Sequence, residues 1–194
     1  MTQTERKPAA ILYAELRNFT RMSEMLEPQR VLLLANEFFD LVARAADMCG
    51  GKVMWVQNDT LVVAFTSANA PQFAQQAFQA AQVVQREFGV VAEKWHGQYG
   101  LQAAVALGLH LGETVFGMAG PASFQHSIAF GDTVSVAERL VHRARAGEIV
   151  LSGAVTKTMG GTTGARALPP LELGRGRPPL VIYGILLDTR LDFT

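Results

Sequence analysis

Apolar residues in this chain follow two spacings, and the order in which those spacings alternate predicts the fold. Ala9–Leu16 is a nearly unbroken apolar run and reads as a buried strand, with Glu15 at its end. After Pro28, Val31, Leu34, Ala35, Phe38, Leu41, Val42 and Ala45 recur at helical spacing, and Gly50 and Gly51 end that helix. Lys52–Gln57 and Thr60–Phe65 are β-rich runs separated by Asn58 and Asp59, which predicts a tight hairpin. A second helix is predicted from Pro71 to about Lys94, then a long strand over Leu101–Leu111. Gly112, Gly117 and Gly120 punctuate the next stretch, before a strand at Phe124–Phe130. A third helix follows from Asp132 to about Arg145, then a short strand at Glu148–Ser152. Turns at Gly160–Gly164 and Gly174–Pro179 flank two last strands that end in Leu180–Leu187. The order β-α-β-β-α-β predicts an α/β sandwich: a mixed, mostly antiparallel sheet with a ferredoxin-like core and flanking helices. One domain is expected over residues 9–187, with short tails at 1–8 and 188–194.

Composition narrows the function classes. Lys+Arg and Asp+Glu are both 17 in 194 residues, a balance that argues against a general nucleic-acid binder. Cys49 is the only cysteine, so no intrachain disulfide can form, and a reducing, cytoplasmic setting is expected. No apolar run approaches the length of a membrane span.

Candidate chemistry sits where the first strand ends. A strand that closes on a carboxylate and turns into a helix brings a cation ligand beside free backbone N–H groups. Asn18 tolerates unusual backbone angles, and Thr20 is expected as the helix N-cap. Asp59, at the tip of the neighbouring hairpin, supplies a second carboxylate that can converge with Glu15 on one divalent cation.

These features together resemble the catalytic domain of class III nucleotide cyclases, the adenylate and guanylate cyclases. The family pattern Phe-x-Asp-[Ile/Leu]-x-x-Phe-Thr is matched by Tyr13-Ala14-Glu15-Leu16-Arg17-Asn18-Phe19-Thr20. Asn36-Glu37-Phe38-Phe39, Gly50-Gly51 and Asn58-Asp59 fall at further family motifs. The glycine-rich stretch from Gly108 to Gly120 resembles another, with one extra residue, and Gly131-Asp132-Thr133-Val134-Ser135-Val136-Ala137-Glu138-Arg139-Leu140 resembles the last. Five ordered motifs over about residues 9–187 make a specific match. The resemblance implies two metal ions, Mg²⁺ or Mn²⁺, at Glu15 and Asp59, and phosphates near Asn18, Phe19 and Thr20. It also implies active sites shared between two chains of a head-to-tail, two-fold homodimer.

Departures from the pattern bear on function. Glu15 is one methylene longer than the family's Asp, and Mg²⁺ demands near-ideal octahedral geometry. Trp55 and Ile128 fall at the two base-reading positions, where neither pairs with a purine edge; they are expected to fill an apolar gap. Ser135 stands at the position of the transition-state Asn, Arg139 keeps the transition-state Arg, and Arg175 falls at the phosphate-gripping Lys. His96, His110, His126 and His142 lack metal-ligand spacing and are expected to be structural or on the surface. The expectation is a degenerate cyclase-homology domain acting as a dimerising regulatory or ligand-sensing module, with a nucleoside triphosphate or other small anion as its ligand. Two rivals stand beside it: an active cyclase of relaxed purine choice, and an interaction domain with no small ligand.

Overall fold

The computed structural model describes residues 4–67, 69–161, 163–174 and 176–186. Strand β1 (Glu5–Arg17) lies at the centre of an eight-stranded sheet. Helices α1 (Phe19–Met25) and α2 (Pro28–Met48) follow, then the hairpin β2 (Gly51–Gln57) and β3 (Thr60–Phe65). Next come α3 (Ala70–Tyr99), β4 (Ala104–Ala119), β5 (His126–Phe130) and α4 (Asp132–Arg143). The chain continues through β6 (Glu148–Ser152), α5 (Gly153–Thr158), β7 (Arg166–Leu171) and β8 (Leu180–Leu186).

The sheet order is β2-β3-β1-β4-β6-β8-β7, with β5 paired to β4. Among the described residues only the β4–β6 pairing is parallel. The first four strands and the two long helices form the expected ferredoxin-like βαββαβ core within a mostly antiparallel sheet.

Alternation along β1 divides the molecule into two layers. Ala10, Leu12, Ala14 and Leu16 point into a large core shared with α2 and α3. Ala9, Ile11 and Tyr13 point to the opposite face, into a smaller core under α4. Burial on both faces is why β1 reads as an apolar run rather than an alternating one.

Glycine explains one departure from the sequence reading. Gly112 and Gly117 were read as punctuating the stretch after a strand ending at Leu111, yet β4 runs straight through both. At Gly112 a Cβ would stand 2.7 Å from Thr133 Oγ1, and at Gly108 one would stand 2.4 Å from the Val141 backbone nitrogen. These glycines permit close approach of α4 to the sheet, not a turn. The strand β1 begins at Glu5, inside the expected tail, because its pairing with β4 extends over that segment. Thr20 is not the cap of α1. Asn18 takes that place with φ 69°, and its side chain donates to the Gln102 carbonyl at 2.8 Å. The short helix α5 carries no long apolar period and was not foreseen. The two expected turns near 160–164 and 174–179 include residues 162 and 175, which lie outside the described residues, as does Leu187.

Candidate functional site

Two cavities open at the ends of β1 and the β2–β3 hairpin, and Asp59 lines both. The first has a volume of about 690 Å³ and is lined by Glu15, Arg17, the Asn18–Arg21 segment and Asp59. The second has a volume of about 630 Å³ and is lined by Tyr13, Trp55, Ile128, Glu138 and His142, with Asp59 at its edge.

Strand register brings the two expected metal carboxylates together. Glu15 pairs with Thr60, and the Leu16 N–H donates to the Asp59 carbonyl at 2.8 Å. Glu15 also shares its face of β1 with Arg17, two residues on. The Arg17 guanidinium donates through Nη1 to Glu15 Oε1. Its Nη2 donates to the carbonyls of Val141 at 2.6 Å and Ala144 at 2.9 Å, at the C-terminal end of α4. Arg17 thus satisfies helix-end carbonyls and a carboxylate with one fork. The other Glu15 oxygen lies 3.7 Å from His142 Nε2. Burial raises the Glu15 carboxyl above the usual carboxylate range; Arg17 pulls it down and Asp59 pushes it up.

Of the two carboxylates that would hold a divalent cation, Glu15 has one oxygen engaged by the internal Arg17 cation. Asp59 and the second oxygen of Glu15 are the donors left over.

The second cavity is built by a β-bulge. Val53 pairs with Val63 and Trp55 with Val62, so Met54 is the extra residue. Both Met54 and Trp55 therefore pack toward the α4 face. Trp55 meets Tyr13 edge-on, with ring centroids 6.2 Å apart and planes at 81°. Trp55 and Ile128 were expected to fill an apolar gap; instead both are half-buried and stand in the wall of an open cavity. Burial pushes the Tyr13 hydroxyl up, and the nearby Glu138 carboxylate adds to that shift.

Phe19 and Thr20 line the first cavity beside Asn18, Phe19 half-buried against the α2–α3 core and Thr20 exposed within α1. The other expected residues are placed elsewhere. Ser135 and Arg139 line neither cavity; Arg139 lies about 100° round α4 from Glu138, whereas Ser135 shares His142's side of the helix. Arg139 instead donates to the carbonyls of Leu173, at 3.0 Å, and Glu172. Arg177, two residues past the expected phosphate position, forms a two-bond ion pair with Asp132 at 2.6 and 2.8 Å. Arg175 itself lies outside the described residues.

Sequence reasoning passed over Tyr13, Arg17, Glu138 and His142. The signals were present: Tyr13 and Arg17 share Glu15's side of a strand, and Glu138 and His142 are four apart on one helix. His142, expected to be structural or at the surface, stands at the mouth of the site.

Comparison with known proteins agrees with this geometry. Residues 1–168 match the family model described as the adenylate and guanylate cyclase catalytic domain. An adenylate cyclase of Anabaena cylindrica is 29% identical over 131 residues, covering 67% of this chain and 26% of that protein. A membrane guanylyl cyclase of Dictyostelium discoideum is 27% identical over 156 residues, covering 78% of this chain and 10% of that protein. The chain thus spans about a quarter or less of the length of these curated relatives. Among solved structures, the adenylyl cyclase CyaB of P. aeruginosa superposes with a TM-score of 0.89 at 23% identity, over 99% of this chain and 100% of that one. The guanylyl cyclase Cya2 superposes with a TM-score of 0.81 at 25% identity, over 93% and 92%. The motifs, the sheet order and these matches place the chain in the adenylate and guanylate cyclase catalytic domain family.

Proposed function

We propose that this domain binds a nucleoside triphosphate between two copies of itself without cyclising it, and so works as a dimerising, ligand-sensing module. The observation that carries this reading is the Arg17–Glu15 ion pair, which engages one of the two carboxylates that cyclisation chemistry needs. Ser135 adds to it. Losing an oriented donor at a developing charge typically lowers the rate about 10²–10³-fold, and a Ser hydroxyl is too short to replace an Asn amide at that distance. Any Mg²⁺ or Mn²⁺ enters with the nucleotide, held by Asp59 and by phosphate oxygens.

Dimerisation is supported by apolar exposure on one edge. Phe124, Phe130, Met118 and Val56 are large and exposed. They lie on or beside the β4–β5 arm and the β2 strand, more apolar surface than a small monomer ordinarily leaves to water. In a head-to-tail pair each chain's Glu15–Asp59 cavity would face the partner's Trp55 cavity, so that Ser135 and Arg139 serve the site across the axis. No helix of the described residues is long and apolar enough to cross a membrane.

An active cyclase of relaxed base choice is the second reading, favoured by the open cavities and by the adjacency of Glu15 and Asp59. One assay separates the two. Cyclic-nucleotide formation from ATP or GTP is measured with Mn²⁺, beside an Asp59→Ala control. The expected result is no product. Product that disappears in the control would overturn the proposal and make Glu15 a working ligand.

A further inference from the structure

We infer that a further, smaller cavity, near the start of β1, binds a small organic anion: one carboxylate on a short apolar or aromatic body. The inference does not rest on the nucleotide reading above. Strand register builds this cavity. Glu5 and Lys7 are two apart on β1 and share one side of it. Lys52 pairs with Ala64 across the β2–β3 hairpin, and directly paired residues point to the same side of a sheet. Ala64 and Met54 are buried on the α4 face, so Lys52 lies on that face with them. Phe116 of β4 pairs with Glu5, and Ser127 enters from β5. With Thr66 and Ile128 these residues line a space of about 190 Å³.

Charge sets the sign of the ligand. The lining carries the ammonium groups of Lys7 and Lys52 against the single carboxylate of Glu5. Lys7 is already matched: its Nζ donates to Glu5 Oε2 at 2.8 Å and stands 5.2 Å from the centre of the Phe116 ring. The side chain of Lys52 has no hydrogen bond or ion pair among the described residues, and neither have the hydroxyls of Thr66 and Ser127. An ammonium donates and never accepts, and a hydroxyl can turn to donate. The unmatched charge in the cavity is therefore positive, with hydroxyl donors beside it.

Size and the other walls set the body. A water takes about 30 Å³ of liquid, so the space is that of about six waters, far short of a nucleoside triphosphate. Met54, Ala64, Phe116 and Ile128 make part of the lining apolar. Inorganic phosphate leaves that part uncovered, whereas a short aliphatic chain or one aromatic ring covers it. A second carboxylate on the ligand would find no second free ammonium and would be buried unpaired. Ile128 also lines the Trp55 cavity, so the two sites are neighbours that share a wall.

Benzoate is the probe that tests the inference, with benzamide as its uncharged counterpart and inorganic phosphate as the anion without a body. Each is titrated into the full chain without nucleotide or metal. The Met54 methyl resonance, identified by its absence in Met54→Leu, reports occupancy by NMR. Saturable benzoate binding that moves this resonance is expected, with benzamide and phosphate each about 10-fold or more weaker, the size of a lost charged contact. Lys52→Met is expected to weaken benzoate by the same factor and to leave benzamide as it was. Lys52 is exposed, so this variant keeps the fold, and a matching urea unfolding curve verifies that. No saturable benzoate binding below about 10 mM would overturn the inference, since that is weaker than a ligand of this size reaches in a fitted site. So would equal binding of benzamide, tighter binding of phosphate, benzoate binding that leaves Met54 unmoved, or benzoate affinity that survives Lys52→Met.

Discussion

One face of the sheet carries two long helices; the other carries one short helix and borders the two larger cavities described above. On the α2–α3 side the core is continuous and almost wholly apolar, running from Met22 through Phe38, Phe65, Phe88 and Trp95 to Val155. On the α4 side the core is half that extent, and its margins hold Glu15, Arg17, Glu138 and His142. The covered face holds the sheet in shape, and the thinly covered face holds the chemistry. Groups with polar roles stay where water and ligand reach them, because burying them unpaired is costly. Substitutions on the two faces should therefore separate stability from binding.

The largest expected effect is on the covered face. Phe38 is fully buried, and it meets Phe88 edge-on at 5.6 Å, which in turn meets Trp95 at 5.5 Å. Phe38→Ala should cost about 3–5 kcal/mol of unfolding free energy. Nucleotide affinity, measured well below the lowered melting temperature, should not change. A loss of affinity in the folded variant would mean that the two faces are not separable.

Next comes a pH effect on the α4 face. His110 pairs with Ile11 across the sheet, and its Nδ1 lies 2.7 Å from Ser152 Oγ. Burial pushes its pKa from 6.5 down to about 4, with Asp132 opposing and Arg177 assisting. The unfolded chain takes up this proton first as pH falls, so stability is lost between pH 6.5 and about 4. The full loss is on the order of 3 kcal/mol. Subtracting the pH dependence of His110→Gln from that of the native chain isolates the contribution. Parallel curves would show that His110 is not buried neutral.

Arg17→Met should cost about 2–3 kcal/mol, less than breaking a fully buried pair, because Arg17 and Glu15 keep 24% and 12% side-chain exposure. It leaves a buried carboxylate without its partner and two α4 carbonyls without donors. Adding Glu15→Gln should restore part of the loss by removing the unpaired charge, a coupling that urea unfolding of the double-mutant cycle measures. Additive losses would mean that the ion pair is incidental. The same Arg17→Met chain should bind Mn²⁺ more tightly in the presence of nucleotide, since both Glu15 oxygens are then free.

The two faces also differ in how far the sequence discloses them. Helical periodicity marks α2 and α3 because each buries a full stripe, and the apolar run of β1 records burial on both sides. The order of elements was enough for the ferredoxin-like core. On the α4 face the signal is thin. Gly108 and Gly112 are there to admit a helix backbone, which a one-dimensional reading cannot distinguish from a turn. Motif matching located Glu15 and Asp59, but not that Arg17 is tied to Glu15, since that depends on where α4 ends 124 residues later. Nor does the run Val53-Met54-Trp55 announce a bulge; strict alternation would send Trp55 to the other face, away from the cavity.

The smallest stability effect is expected at that bulge. A fully buried aromatic truncated to Ala costs about 3–5 kcal/mol, but Trp55 is half-buried, with one side on an open cavity and an edge-on contact with Tyr13 on the other. Trp55→Ala should therefore cost only about 1–2 kcal/mol, roughly half, because the lost side chain leaves a widened groove that water enters rather than an enclosed void. Its effect on binding should be the larger one: removal of a stacking surface is worth about 1–3 kcal/mol per base, and it should weaken GTP and ATP alike because stacking does not read edges. Trp55→Lys should cost no more than Trp55→Ala, since the ammonium can reach water through the cavity mouth. A stability loss near the fully buried value for either variant, seen in urea unfolding, would show that Trp55 plugs the site in solution and that the thinly covered face is closed.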